Sequence, residues 1–459
     1  AQVDAFNAAA VVQAMRPAGV GDVEEVRSLE GGSGGGAGSR PASLGALLRT
    51  APQAVPFKRR IDLFRALLEA DKKHGGYARA AYEGGPLPVK LTVRRSSVME
   101  DAFRALAQHG PGLKGRLSVT FVNAQGLSEA GLDYGGLMKE LLEEVVSRGF
   151  NPDFGLFVAT PDGLVYPRPS ADKVEDGCAL LEFLGSMVGK ALYEGVLINV
   201  AFAPFFVARL QGRTPLFDDL ATLDPGLHKS MMQVKRYDGN VEDLGLTFNV
   251  DDDFFGSKRS YELLPGWGDV PVTNDNRLLY CHLLADWHLN VRLGRAADAF
   301  ARGVAHIIPP GAFRLFNPRE LNELISGGGD EGLGGADIDD LRAHTRYSGG
   351  YHEDSTAVKL FWKVALEMSG REMALLLRFV TSCSRPPLGG FKYLHPPFTI
   401  HRVECEASVL ASFGGKDVDR LPSASTCYNM LKLPNYRRSA TLREKLVYAI
   451  SSGAGFELS

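Results

Sequence analysis

The sequence predicts an α+β fold in two parts, a large and mostly helical one followed by a smaller one of mixed helix and strand. Apolar residues recur at helical spacing in several stretches, whereas the alternation typical of strands is short. Two glycine-rich runs, residues 31–38 and 327–335, divide the chain of 459 residues. Their composition is typical of flexible linkers, although surface loops within one domain are the alternative interpretation.

The two runs predict the domain boundaries. Residues 1–56 are expected to form an N-terminal segment and linker that is partly disordered, and residues 57–326 the large domain. Residues 327–335 are expected to be a hinge, and residues 336–459 the small domain. With 45% hydrophobic residues, the chain is long enough for two or three cores.

Helices are predicted where apolar residues return every three or four positions. The stripes with this spacing are Ile61, Phe64 and Leu68; Leu184, Met187, Val188 and Ala191; Met373, Leu376, Leu377 and Val380; and Leu442, Leu446 and Ile450. Strands are predicted at residues 117–121, where apolar and hydroxyl side chains alternate, and at residues 398–400, which follow two prolines.

The glycine-rich segment at residues 131–136 resembles a phosphate-binding loop only superficially. It lacks the Gly-Lys-Ser/Thr ending of a P-loop and the G-x-G-x-x-G spacing of a dinucleotide site, so nucleotide binding is not expected. The residues that follow, 137–146, have the pattern of an amphipathic helix. The glycines are therefore predicted to form the tight turn that leads into it.

Composition excludes several classes of protein. A formal charge of −3 argues against a dedicated nucleic-acid binder, and no apolar run reaches the length of a membrane span. The five cysteines are odd in number and widely spaced, without a C-x-x-C pair or zinc spacing. We therefore expect a cytosolic or nuclear protein without a metal or other cofactor. Because the first residue is Ala, we expect a fragment of a longer protein.

Cys427 is the candidate nucleophile. Small hydroxyl residues precede it and a Leu-Pro-Asn-Tyr run follows a few residues later, a setting that indicates an accessible thiol at the edge of a strand. The alternative is a small buried hydrophobic residue, which is the commoner fate of a lone cysteine. A second alternative is a cysteine hydrolase in which Cys427 pairs with His395 or His401, although no Asn or Asp is evidently placed to orient either imidazole.

An ordered series of motifs in the small domain resembles the C-terminal lobe of HECT ubiquitin ligases. The series consists of Tyr347-Ser348-Gly349-Gly350-Tyr351, Phe361-Trp362, the run from Phe379 to Phe391, the Ser-Thr-Cys block around Cys427, the helix from Leu442 to Ile450, and Gly455-Phe456-Glu457-Leu458-Ser459. Matching segments continue upstream, so that the resemblance covers residues 57–459. Within the family, the chain is most similar to animal ligases with an upstream IQ motif and to the related plant ligases.

The resemblance implies a bilobal fold and a role for each candidate residue. The large N-lobe would carry a subdomain at about residues 165–285 that binds a ubiquitin-conjugating enzyme. Cys427 would hold ubiquitin as a glycyl thioester before it passes to a substrate lysine. Many relatives have His where this chain has Ser425, which leaves imidazole assistance from that position in doubt.

Three further residues are candidates for the transfer chemistry. Thr426 is predicted to offer its hydroxyl or backbone N–H to the developing oxyanion, with simple strand packing as the alternative. Phe456 is predicted to anchor the C-terminal tail. Glu457, together with the terminal carboxylate, is predicted to accept a proton from the attacking lysine.

The expected partners are ubiquitin, a ubiquitin-conjugating enzyme and protein substrates, with no nucleic acid and no membrane span. The family's apolar docking positions for the conjugating enzyme correspond to Leu227, Met231, Leu244, Leu246 and Tyr280. The alternative is that these five residues belong to the core. A catalytically silent scaffold that binds ubiquitin is the non-enzyme alternative to a ligase.

Overall fold

The structure is a computed structural model that describes residues 48, 50–77, 85–123, 125–128, 136–254, 257–327, 335–381, 383–387, 389–403 and 420–451. The α-helices are α1 (Phe57–His74), α2 (Val98–Leu106), α3 (Gly136–Gly149), α4 (Gly177–Glu194), α5 (Pro204–Leu210), α6 (Leu220–Leu223), α7 (Pro225–Lys235), α8 (Arg277–Asp286), α9 (Gly294–Ile307), α10 (Pro310–Phe313), α11 (Pro318–Ser326), α12 (Gly335–Ala343), α13 (Thr356–Leu366), α14 (Gly370–Thr381) and α15 (Ser439–Ser451). The strands are β1 (Val89–Arg94), β2 (Leu117–Val122), β3 (Phe157–Ala159), β4 (Val165–Pro167), β5 (Asn249–Phe254), β6 (Ser257–Glu262), β7 (Arg346–Ser348), β8 (Thr399–Val403), β9 (Ser423–Ser425) and β10 (Met430–Pro434).

Buried side chains form two separate cores. The first extends from Leu48 to Ile325 and the second from Ile338 to Ile450. The predicted α+β fold is confirmed, with a mostly helical first part and a mixed second part, which we call the large lobe and the small lobe. The predicted boundaries are supported by this division but remain predictions, and most of the predicted hinge, residues 327–335, lies outside the described residues.

Two side chains upstream of the predicted start at residue 57 also pack into the first core. They are Leu48 and Val55, and both are buried. Arg60 in α1 also donates a hydrogen bond from Nε to the carbonyl of Val55, at 2.8 Å. The large lobe therefore extends into the segment predicted as a linker.

Helices α4 and α9 form the centre of the large lobe, because glycines let their backbones approach closely. A Cβ atom at Gly303 would lie 1.8 Å from the carbonyl oxygen of Glu182, and one at Gly185 would lie 2.1 Å from that of Phe300. Helix α3 also packs on α4 and buries Leu141 with its neighbours in the same core. Helix α3 also faces the small lobe, where it contacts the turn formed by residues 426–428.

The small lobe is built on a four-stranded sheet in the order β7-β8-β10-β9. β8 runs parallel to both β7 and β10, whereas β9 is antiparallel to β10. Helices α13, α14 and α15 cover this lobe's core, with Phe361 and Ile400 fully buried among them. The predicted helices at residues 442–450 and 373–380 and the predicted strand at residues 398–400 are all present.

The remaining sequence predictions of secondary structure also agree with the structure. Residues 61–68 lie in α1, residues 184–191 in α4, and residues 117–121 in β2. The predicted helix at residues 137–146 is α3, while the glycines at 131–135 lie outside the described residues. Within the described part of the chain, no helix combines the length and the apolar character needed to span a bilayer.

Candidate active site

Cys427 lies in a tight 3₁₀ turn, Thr426–Tyr428, that connects β9 to β10. Asn429 ends the turn in the left-handed conformation at φ 48°, and its backbone N–H donates to the carbonyl of Thr426 at 3.1 Å. Its side-chain amide is fully buried and donates to the carbonyl of Pro396 at 2.5 Å. Asn429 thus holds the turn through one bond to its first residue and one to Pro396. The side chain of Cys427 lies outside the described part of the structure.

A lysine on α3 bonds the turn to the large lobe. The ammonium group of Lys139 donates to the carbonyl of Thr426 at 3.0 Å, to the carbonyl of Thr381 at 3.2 Å, and to the side-chain oxygen of Asn429. The side chain of Lys139 is only 5% exposed, and Glu143 lies 3.6 Å from its Nζ. A buried cation on one lobe therefore has three acceptors on the other.

Helix α1 makes a second contact between the lobes. The hydroxyl of Tyr393 donates to Asp62 Oδ1 at 2.7 Å, and the guanidinium of Arg65 lies 3.5 Å from the centre of the Tyr393 ring. Burial lowers the pKa of Arg65. Burial also lowers the pKa of His395, which lines the same cleft with Arg65.

A third contact lies at the end of α11, where the predicted hinge begins. The Cys383 thiol donates to the carbonyl of Ser326 at 3.3 Å, and Arg385 donates to the Ser326 hydroxyl at 3.1 Å. Gly327 has φ +92°, and a Cβ there would lie 2.8 Å from the carbonyl oxygen of Pro386. Only glycine fits both the backbone conformation and the space at this position.

A groove of about 490 Å³ opens beside the Cys427 turn. Its walls include Thr426 and Arg378 of the small lobe, three glutamates of α3, and the loop of residues 197–201 of the large lobe. The glutamates are Glu140, Glu143 and Glu144. The turn that carries Cys427 thus borders an open groove between the lobes through its first residue, Thr426.

Two other cysteines illustrate the alternative fate of a lone thiol. Cys281 and Cys383 are buried in the structure, and burial raises the pKa of both thiols. A raised pKa suppresses the thiolate and with it the nucleophile. The interpretation as small buried residues therefore applies to these two.

The hydrolase alternative finds no support in the positions of the two histidines. His401 lies on β8 opposite Lys432, beyond the start of β10, and its Nδ1 is 2.9 Å from the Ser348 hydroxyl. His395 lines the cleft beside α1, whereas Thr426 lines the groove beside α3. The two imidazoles therefore lie in different surroundings, His401 beside Ser348 and His395 in the cleft with Arg65.

The other predicted residues of the site fall in two groups. The carbonyl of Thr426 accepts hydrogen bonds from Lys139 and from the backbone N–H of Asn429, while the predicted role of its hydroxyl or N–H at an oxyanion stays a prediction. Phe456 and Glu457 lie outside the described residues, and their roles also stay predictions. Sequence reasoning missed Lys139, because its acceptors lie 242 to 290 residues away along the chain.

The five predicted docking residues differ in exposure. Met231 and Tyr280 are buried, at 6% and 5% exposure, which favours the core alternative for these two residues, while their contact with a partner stays a prediction. Tyr280 packs edge to face on Phe248. Leu227 and Leu246 are half-buried, and Leu244 is exposed.

Exposed apolar side chains lie next to these positions instead. Leu278 and Leu279 begin α8, immediately before Tyr280, and are 52% and 43% exposed. Tyr237 and Trp267 are also exposed. The helical period contains the missing signal, because the buried residues Tyr280 and Leu284 are four apart and so define an inner face that excludes Leu278.

Comparison with known proteins decides the family. The sequence model of the HECT-domain (ubiquitin-transferase) family matches residues 143–459. The chain belongs to the HECT family. It is 41% identical over 440 residues to human ubiquitin-protein ligase E3B, covering 90% of this chain and 40% of the human protein.

Two further relatives agree with this assignment. The chain is 39% identical over 416 residues to the E3 ubiquitin-protein ligase UPL6 of Arabidopsis thaliana, covering 90% of this chain and 39% of the relative. It is 38% identical over 428 residues to the E3 ubiquitin-protein ligase HUL5 of Saccharomyces cerevisiae, covering 90% of this chain and 45% of that relative. This HECT chain therefore spans less than half the length of these curated relatives, and its two lobes form an α+β bilobal HECT fold.

Proposed function

We propose that this HECT chain is the catalytic part of a ubiquitin-protein ligase, which receives ubiquitin on Cys427 and transfers it to a substrate lysine. The main support for this proposal is that the chain belongs to the HECT-domain family. In addition, Cys427 lies in a hydrogen-bonded turn beside an open groove. A site of this kind, at the junction of two lobes, suits a thiol that must meet two partners in succession.

The first step exchanges one thioester for another. The Cys427 thiolate attacks the carbonyl carbon of the ubiquitin C terminus, a new C–S bond forms, and the conjugating enzyme's cysteine leaves as a thiolate. An ordinary cysteine with a pKa of about 8.5 is roughly 3% ionised at pH 7, and its thiolate is intrinsically very nucleophilic. The step therefore depends mainly on bringing the two sulfur atoms together.

The second step forms the amide bond. The lysine amine attacks the same carbonyl carbon, the C–N bond forms, and Cys427 leaves as a thiolate. Because a free lysine has a pKa of about 10.4, its ammonium must lose a proton to a base before or during attack. The carboxylates of Glu457 and of the C terminus are the proposed acceptors.

The proposed docking surface for the conjugating enzyme is the exposed apolar patch of the subdomain. It consists of Leu244, Leu278 and Leu279, with Leu227 and Leu246 at its half-buried edge. Met231 and Tyr280 are buried in the core of the same lobe. Exposed apolar side chains gathered on one surface mark protein interaction sites more often than scattered ones do.

The reaction itself tests this function. Incubation of the chain with activating enzyme, conjugating enzyme, ubiquitin and ATP should give an adduct that reductant removes and that is absent in Cys427→Ala. Cys383→Ala is the matched control, because that thiol is buried, and the adduct should persist. Binding of ubiquitin without an adduct would favour a scaffold, and cleavage of ubiquitin conjugates would favour a hydrolase.

A further inference from the structure

Lys139 occupies an unusual position for a buried lysine. It lies on α3, whose apolar side holds Leu141, Leu142 and Val145 in the core of the large lobe. Yet the three hydrogen-bond acceptors described for its ammonium, the carbonyls of Thr381 and Thr426 and the side chain of Asn429, all belong to the small lobe. A buried ammonium needs its partners, so these bonds favour the arrangement in which the lobes touch.

Two of the three acceptors belong to the Cys427 turn. The carbonyl of Thr426 immediately precedes Cys427, and Asn429 ends the turn. Asn429 is in turn fixed by its own bond to the carbonyl of Pro396. One cation therefore holds the beginning and the end of the turn that carries the nucleophile, and it places positive charge one residue from the thiol.

We propose that Lys139 is a positioning residue for the lysine-transfer step, in which it holds the Cys427 turn against α3 while ubiquitin leaves the thiol. This inference rests on the proposed ligase function. In that step a C–N bond forms, the C–S bond to Cys427 breaks, and the electron pair of the broken bond stays on sulfur. A turn held in one place keeps the thioester in a geometry that the lysine amine can attack.

The two steps of the reaction make opposite demands on this contact. To receive ubiquitin, the thiol must reach a conjugating enzyme bound at the proposed docking patch of the large lobe. A turn that is held against α3 restricts that movement. To release ubiquitin to lysine, the thioester must be held still in the groove beside α3. Loss of the Lys139 bonds should therefore impair release and spare charging.

The test separates the two steps in the same chain. Cys427 is first charged with ubiquitin, further charging is stopped, and discharge to free lysine is followed as loss of the thioester. Lys139→Met should leave the rate of charging unchanged or higher and slow discharge roughly 10-fold or more. Lys139→Arg, which keeps the charge and the donors, should recover much of the discharge rate.

Two further variants keep the test decisive. Asn429→Gly removes the side-chain acceptor that the turn offers to Lys139, and glycine accepts the left-handed backbone, so this variant serves if Lys139→Met does not fold. Lys114→Met is the control, because its ammonium bonds Asp71 at 2.8 Å within the large lobe, and it should discharge at the normal rate. Normal discharge in Lys139→Met, or in Asn429→Gly, would overturn the proposal.

The failure of this proposal is distinguishable from failure of the ligase function. If the unmodified chain forms no reductant-sensitive adduct at Cys427, both fall together. If the adduct forms and Lys139→Met loses charging and discharge to the same extent while it remains folded, the ligase function stands and the positioning role is overturned. A slow discharge that Lys139→Arg restores supports the role.

Discussion

Lys190 and Lys139 are both buried lysines of the large lobe, and they differ in where their acceptors lie. Lys190 on α4 is fully buried and donates to the carbonyl of Gly115 at 2.8 Å and to Glu194, both in its own lobe. Lys139 on α3 donates to the small lobe. The first set of bonds is lost only when the lobe unfolds, whereas the second is lost whenever the lobes separate.

Two tyrosines repeat this comparison. The hydroxyl of Tyr193 donates to Asp71 at 2.8 Å within the large lobe, and the hydroxyl of Tyr393 donates to Asp62 at 2.7 Å across the lobes. Burial and the bond to Asp71 raise the pKa of Tyr193. The chemistry of a bond therefore does not reveal its role, because the same donor and acceptor stabilise a fold in one place and an arrangement of lobes in the other.

The largest expected difference is between the two lysines. Lys190→Met should lower the free energy of unfolding of the large lobe by about 2–3 kcal/mol, because it leaves a buried carbonyl and a partly buried carboxylate with fewer partners. Lys139→Met should lower it by less than about 1 kcal/mol, since its acceptors can be hydrated when the lobes separate. Urea unfolding in a Trp362→Phe background measures this, because the remaining tryptophans, Trp267 and Trp287, belong to the large lobe.

Equal losses in the two lysine variants would contradict the comparison. So would a larger loss in Lys139→Met, because it would mean that contact between the lobes is part of the stability of the large lobe. Lys190→Arg is not a suitable substitute for the methionine variant, since it retains the charge that burial disfavours. Burial lowers the pKa of Lys190, which shows that desolvation outweighs its attraction to Glu194.

The second prediction concerns how pH changes the stability of the large lobe. Burial lowers the pKa of His288 to about 4, with a further contribution from Arg292. The unfolded chain takes up a proton near pH 6.5 and the folded chain only near pH 4, so stability falls as the pH decreases through this interval and not below it. Between pH 7 and pH 5 the loss should be about 1–2 kcal/mol.

The His288→Gln variant provides the control for the pH prediction. Its large lobe should show a smaller loss of stability between pH 7 and pH 5, again measured by urea unfolding. The His288→Gln substitution should have little effect on the contact between the lobes, since no hydrogen bond described for His288 joins them. An unchanged pH dependence in the variant would show that other groups cause it.

The smallest expected difference is between the two tyrosines. Tyr193→Phe should lower the free energy of unfolding of the large lobe by about 1 kcal/mol, the typical value for one hydrogen bond to a charged or polar partner. Tyr393→Phe should leave that quantity nearly unchanged and speed hydrogen exchange in the segment at residues 389–395. Hydrogen exchange followed by mass spectrometry, with both variants side by side, distinguishes the two effects. Faster exchange at residues 389–395 in Tyr193→Phe alone would reverse the assignment.

Local residue patterns and sequence motifs are sufficient to predict much of the fold and the family of this molecule. Helices such as α4 and α14 follow from side chains three and four residues apart, and the family follows from an ordered series of segments. The contact at Lys139 has no local signal, because residues 139 and 426 are brought together only by the fold of both lobes. The burial of Met231 and Tyr280 was harder to predict, because a helical period shows which residues share a face but not whether that face is covered.

The glycine at the end of α11 determines how closely the two lobes can approach. The chain leaves the large lobe at Gly327. A Cβ atom at this position would lie 2.8 Å from the carbonyl oxygen of Pro386 in the small lobe. A single added methyl group would act as a wedge between the lobes, at a distance along the chain from both the Cys427 turn and the proposed docking patch. A substitution at this one residue should therefore shorten the time that the two lobes stay in contact, without changing any residue of the Cys427 turn.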